Sequence, residues 1–156
     1  MCGGLARWLR FFGIDASYTP GIADADLVAH ALAEQRIVVS SDQRLFERRL
    51  FAAGVLRGLL LPVGLKLAAQ VRFTVRYLRL PLGFPRCSLC NGRLEPVSRA
   101  EVAEVVPARS LIWLREFFRC EACGHVYWEG THWRRLGRIR TELLEDLEPN
   151  GAADDP

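Results

Sequence analysis

The sequence has 156 residues, room for one medium domain or two small ones, and half of them are hydrophobic, enough for a real core. Net charge is +3, but nearly all the basic residues are arginine and the acids gather at the end, at Glu142, Glu145, Asp146, Glu148, Asp154 and Asp155. No apolar run is long enough for a membrane span and the opening Met-Cys-Gly-Gly-Leu-Ala-Arg-Trp is not a signal peptide, so a membrane-spanning or secreted protein is not expected and the cytoplasm is the expected location. Arginine forks suit phosphate, so a nucleic-acid partner fits, although arginine-preferring codon usage gives the same composition.

Leu5, Trp8, Leu9 and Phe12 share one face of a predicted helix over 5–12, which Gly13 ends. Ile14 to Thr19 reads as a short strand closed by Pro20-Gly21. Asp24 to Glu34 reads as a helix with Leu27, Val28, Ala31 and Leu32 facing inward. Arg36 to Ser41 carries Ile-Val-Val, the mark of a buried strand. Gln43 to Ala53 reads as one helix stopped by Gly54, and Val55 to Leu61 as a strand ending at Pro62. Residues 64–79 form a longer helix with Leu65, Ala68, Val71, Val75 and Leu78 on one side and Arg72, Arg76 and Arg79 near the other. This alternation implies a small parallel sheet with right-handed crossovers.

Pro81, Gly83 and Pro85 mark a linker. Beyond it lie Cys87-Ser-Leu-Cys90 and Cys120-Glu-Ala-Cys123. Each Cys-x-x-Cys turn aims two sulfurs at one point, and two such turns complete the tetrahedron that zinc accepts. Gly92 and Gly124 trail the two pairs and allow a tight backbone. An odd count of five cysteines argues against a disulfide framework, and four thiolates leave no open position for catalytic water. The zinc is therefore expected to be structural. Residues 86–136 read as a ribbon of short hairpins, with strands at Arg93–Pro96, Glu116–Arg119 and His125–Glu129. Thr141 to Leu147 reads as a last helix and Asn150 to Pro156 as a disordered tail. The expected domains are 1–82, 83–136 and 137–156.

In a parallel α/β sheet, ligands bind beyond the carboxyl ends of the strands. Asp42 falls there, after Ile37-Val38-Val39-Ser40-Ser41, where it can hold Mg²⁺ or Mn²⁺ or simply cap the next helix. Asp24 and Asp26 fall at the start of the second predicted helix, Asp24 as a candidate cap and Asp26 pointing away from the inner face. Two acids in a first turn also follow from the helix dipole alone. They gain chemical meaning only if they converge with Asp42.

Leu5-Ala6-Arg7-Trp8-Leu9-Arg10, followed by Phe12-Gly13-Ile14-Asp15, resembles the start of the Mut7-C RNase family. Arg36-Ile37-Val38-Val39-Ser40-Ser41-Asp42 resembles that family's strand ending in Thr-Arg-Asp. Pro85-Arg86-Cys87 to Asn91-Gly92, Leu94-Glu95-Pro96-Val97, Cys123-Gly124-His125-Val126-Tyr127-Trp128 and Gly130-Thr131-His132-Trp133 extend the resemblance to the zinc part. It implies a PIN-like nuclease domain fused to a zinc ribbon, with Asp24, Asp26 and Asp42 as acidic ligands of a catalytic Mg²⁺ or Mn²⁺. It also implies a strand ending in Asp before the first helix. This sequence opens there with Met1-Cys2-Gly3-Gly4, so that strand and its acid are expected to be missing, through a misassigned start or through loss. His30 stands where the family is usually aliphatic and is expected to be partly buried.

The expected protein is thus α/β, a small PIN-like parallel-sheet domain followed by a zinc ribbon, acting as a metal-dependent endoribonuclease on RNA such as tRNA or ribosomal RNA. Arg7, Arg10 and Arg44 can touch phosphate, although Arg7 and Arg10 can equally pair with Asp15 or stay solvated. Trp113, Tyr127, Trp128 and Trp133, interleaved with Arg115, Arg119, Arg134 and Arg135, suit stacking on single-stranded RNA or packing across the ribbon. His132 joins the candidate RNA contacts; His125 is expected beside the zinc ligands or on the surface. The alternative reading is a non-catalytic RNA- or ribosome-binding adaptor that has lost part of the acidic site.

Overall fold

The computed structural model describes residues 2–129 and 131–147, the side chains of 131–135 and 146–147 excepted. It is a mixed α/β protein with a two-stranded parallel sheet and a separate three-stranded antiparallel sheet. The chain divides into two compact units. One takes Tyr18–Leu78 with the chain up to Leu5; the other takes Ala6–Ser17 and the chain from Arg79 onward.

In the first unit the Ile-Val-Val segment forms β1 (Val38–Ser40), which pairs in parallel with β2 (Gly58–Leu60) in the register Val38↔Gly58, Val39↔Leu59 and Ser40↔Leu60. The core gathers Val28 and Ala31 from the helix Asp24–Ala33, Val38 from β1, and Leu45 and Leu56 from the connection between the strands. The predicted helix over 43–53 is instead two short helices, Gln43–Phe46 and Arg49–Ala52, broken where Arg48 adopts extended backbone at ψ 140°. A straight helix would point Phe46 and Phe51 roughly 140° apart. The break lets both rings meet edge to face at 5.0 Å and pack on the core. His30 is exposed rather than partly buried, because the helix turns Val28 and Ala31 inward and leaves His30 outside. The long helix, Leu67–Leu78, buries Val71, Thr74 and Val75, with the Thr74 hydroxyl donating to the Gln70 carbonyl at 2.8 Å.

The helix Gly3–Phe11, here α1, ends in the second unit at Gly13, whose φ of +82° only glycine adopts without strain. The Gly13 N–H donates to the Arg10 carbonyl and the Ile14 N–H to the Leu9 carbonyl, both at 3.0 Å, which is a Schellman stop. The predicted strand over 14–19 does not form. The left-handed turn throws the chain toward residues 83–91, and the Ala16 N–H donates to the Asn91 side chain, not to a neighbouring strand.

The ribbon strands are β3 (Leu94–Val97), β4 (Phe117–Cys120) and β5 (Val126–Trp128), in the antiparallel order β3-β4-β5. Pro96 sits on the edge strand, where its missing N–H is tolerated. One cluster packs Val102, Val106, Phe117 and Val126; another packs Cys87, Leu94 and Cys120, with Phe118 and Tyr127 against it. The β3–β4 connection also carries a 3-10 turn, Ala100–Val102, and a short helix, Ala108–Trp113, that sequence periodicity missed. The last helix begins at Thr131, ten residues earlier than predicted, and buries Leu136 and Leu143, seven residues apart. The tail beyond 147 lies outside the described residues.

Candidate metal centre

Two turns of matching design hold the four cysteines. In the first, the Cys87 N–H donates to the Gly92 carbonyl and the Asn91 N–H to the Cys87 carbonyl, both at 2.9 Å. In the second, the Cys120 N–H donates to the His125 carbonyl and the Gly124 N–H to the Cys120 carbonyl, again at 2.9 Å. The left-handed position is Asn91 (φ 70°) in one turn and Gly124 (φ 72°) in the other. Gly92 is therefore not the conformational hinge that its spacing implies. It is needed for room, since a Cβ there would lie 2.7 Å from the Cys120 sulfur.

The four Sγ atoms all lie within 4.8 Å of one another. Cys87 and Cys123 are 3.5 Å apart, Cys90 and Cys120 3.4 Å apart, so each turn faces the other across the site. An ion bound at about 2.3 Å by four sulfurs spaces them about 3.8 Å apart. The cluster can hold a metal ion, and its geometry and soft donors are consistent with a structural zinc. Cys87 and Cys120 are buried; Cys90 and Cys123 face outward.

The electrostatics fit a cation. Burial pushes the Cys87 thiol up, but the Tyr127 hydroxyl and the Cys90 and Leu89 N–H groups favour the thiolate and bring it down to about 6. Cys90 is pushed up to about 12. The Gly92 N–H favours its thiolate, but desolvation and the sulfurs of Cys123, Cys120 and Cys87 outweigh it. Four sulfurs this close cannot all ionise unless a positive ion joins them. Tyr127 reaches Cys87 Sγ at 3.1 Å and accepts from the Ser88 N–H at 3.1 Å, and burial is the main cause that pushes its hydroxyl up to about 12. His125 lies edge-on to that ring at 4.9 Å. Tyr127 thus supports the cysteine cluster by its bond to Cys87 and its packing; its i+7 spacing from Cys120 on a strand leaving the turn was the only signal in the sequence.

Arg10 was an RNA candidate, and the structure buries it. It is 4% exposed, and its guanidinium donates to the carbonyls of Ala16 (2.7 Å), Ser88 (2.9 Å) and Leu89 (3.0 Å). Burial pushes its pKa down, while the Cys87 and Cys90 sulfurs push it back up. Arg7 is exposed, as is Arg44. Arg119 is half-exposed and bonds the Glu101 carbonyl at 3.0 Å. Trp128 packs partly buried against the Val102 and Phe117 cluster, whereas Trp113 is 82% exposed. The side chains of His132, Trp133 and Arg134 lie outside the described residues.

The three aspartates fall in the first unit, all exposed. Asp42 caps the helix Gln43–Phe46, accepting from the Arg44 N–H at 3.0 Å. Asp24 is the first helical residue, not the cap, and pairs with Arg48 at 3.0 Å. Asp26 follows in the same turn. Among the described residues, the four cysteines are the only group of three or more ligand side chains close enough to share an ion, and the aspartates do not form a second.

A family model described as the Mut7-C RNAse domain matches residues 1–140. No curated protein matches the chain, and no solved structure does. The match spans both the strand that leads to Asp42 and the paired cysteine turns, and on that extent the chain belongs to the Mut7-C RNAse domain family.

Proposed function

We propose that the protein is a metal-dependent ribonuclease that cleaves RNA phosphodiester bonds, with a zinc ribbon that grips the RNA. The observation that carries this reading is the RNAse-domain match over residues 1–140 in a chain that also gathers four cysteines for a metal. The first unit is read as PIN-like, with Asp42 two residues beyond the carboxyl end of β1, where α/β sheets place their ligands. Asp24, Asp26 and Asp42 are the proposed acidic ligands. A hard divalent cation bound there supplies an activated water and neutralises charge on the phosphate. Arg44, two residues beyond Asp42, and Arg7, Arg119, Trp128, His132, Trp133 and Arg134 are the proposed RNA contacts; the burial of Arg10 removes it from that set. The substrate is proposed to be RNA, such as tRNA or ribosomal RNA. A thiolate centre belongs in a reducing compartment, so the cytoplasm is the proposed location.

The dispersed aspartates favour a second reading, an RNA-binding adaptor without catalysis. Labelled single-stranded RNA with Mn²⁺ distinguishes the two. The nuclease reading expects cleavage by the parent chain that falls to background in Asp42→Asn with zinc content unchanged. Salt-sensitive RNA binding without cleavage supports the adaptor. Neither cleavage nor binding defeats both.

A further inference from the structure

A buried cation needs a counter-charge. Arg10 is buried, and no carboxylate among the described residues forms an ion pair with it. Its guanidinium instead lies against the turn that carries Cys87 and Cys90, whose sulfurs push its pKa up against the effect of burial. Two of its three hydrogen bonds end on the carbonyls of Ser88 and Leu89, the two residues between those cysteines. A divalent ion on four thiolates carries a net charge of about −2, and carbonyls inside the turn gain from a donor that fixes their direction. The same stretch is tied down at further points. The Arg86 N–H donates to the Arg10 carbonyl at 2.8 Å and the Gly83 N–H to the Phe12 carbonyl at 2.9 Å. The Asn91 side chain accepts from the Ala16 N–H and donates to Asp15 at 2.6 Å.

We propose that Arg10 is a positioning residue of the metal centre. It balances the charge of the loaded thiolates and holds the Cys87–Cys90 turn, so that metal binding and the ordering of residues 6–17 are one linked equilibrium. The proposal rests on the zinc reading. Linkage makes it reciprocal: the segment strengthens metal binding, and the metal strengthens the segment's docking, by the same factor. Arg86 supplies a second guanidinium at the far end of the turn, donating to the Asn91 carbonyl at 2.9 Å, but Arg10 is the one that grips the carbonyls between the two cysteines. A conventional ribbon would be expected to carry its ligands without help from a helix some eighty residues away in sequence.

The test uses the full chain, with zinc and cobalt as probes. Arg10→Met removes the charge and keeps the bulk; Arg10→Lys keeps the charge and loses the fork. Zinc competition against a chromogenic chelator should show affinity lowered about 10–100-fold in Arg10→Met, the usual effect of losing a group that supports a ligand, with Arg10→Lys between it and the parent. In the cobalt-loaded protein, the sulfur-to-metal charge-transfer band should move to longer wavelength in Arg10→Met and stay in place in Arg10→Lys. A residue that only packs would leave that band unmoved. Hydrogen exchange reads the reverse direction. Removing zinc from the parent should speed exchange at the Gly13, Ile14 and Ala16 amides, while the Val38 and Leu61 amides of the first unit stay protected. This arm needs no variant, so it decides even where Arg10→Met does not fold. Parent-like zinc affinity in Arg10→Met, or unchanged exchange at 13–16 after zinc removal, overturns the proposal alone. A parent chain that binds no zinc overturns the zinc reading and the proposal together.

Discussion

At the scale of single residues, the centre depends on space and on polar support as much as on its four sulfurs. Gly92→Ala forces a Cβ to within 2.7 Å of the Cys120 sulfur, so zinc affinity should fall although every ligand remains; zinc titration of the variant measures it. Ser98 and Glu101 form a reciprocal cap. The Ser98 N–H and hydroxyl donate to the Glu101 carboxylate at 2.8 and 2.6 Å, and hold its pKa below the usual carboxylate range, with Arg119 adding to this. A depressed carboxylate adds stability above its unfolded pKa and loses it as pH falls through the folded one. Ser98→Ala should therefore raise the Glu101 pKa and flatten the loss of stability in acid, which carboxyl NMR titration and acid unfolding can follow. The Ser-x-x-Glu spacing of this cap is plain in the sequence. The burial of Arg10 is not, because it depends on carbonyls 78 and 79 residues away.

At the scale of elements, the structure follows the sequence where a pattern had a local cause. The Ile-Val-Val strand, the Val71/Val75 face and the three ribbon strands all appear near their predicted places, because each buries its apolar residues through its own period. Predictions failed where a non-local partner decided. Residues 14–19 have strand-like composition but spend an N–H on Asn91, and the helix over 43–53 breaks so that Phe46 and Phe51 can meet. Of the candidate site, the cysteines were legible from spacing alone, whereas no spacing reports whether the aspartates meet in the fold, and they form no shared ion site among the described residues. Phe117 is 1% exposed at the centre of the ribbon core. Phe117→Ala should cost about 3–5 kcal/mol in chemical denaturation of the metal-loaded unit. Gly13→Ala faces both φ +82° and the Gly83 backbone 2.4 Å away, so a loss well above about 1 kcal/mol is expected in the same assay.

At the scale of the whole molecule, the division into units does not follow one cut in the chain. The unit that carries the four cysteines recruits Ala6–Ser17 from across the intervening first unit's sequence. A fragment beginning at Arg79 keeps all four cysteines but lacks Arg10 and Asp15, and it should bind zinc more weakly than the full chain in a side-by-side titration. Chelation should likewise produce unfolding in two steps, with the parallel-sheet unit the less affected. The two cysteine turns carry a last consequence. They share one hydrogen-bond pattern, yet at the left-handed corner one has a bare hydrogen and the other an amide that grips residues 15 and 16. The halves are interchangeable as geometry and unequal as hardware: one only closes a loop, while the other doubles as a latch. Asn91→Gly should open the latch and leave the loop shut, which separates metal capture from its reach into the rest of the chain.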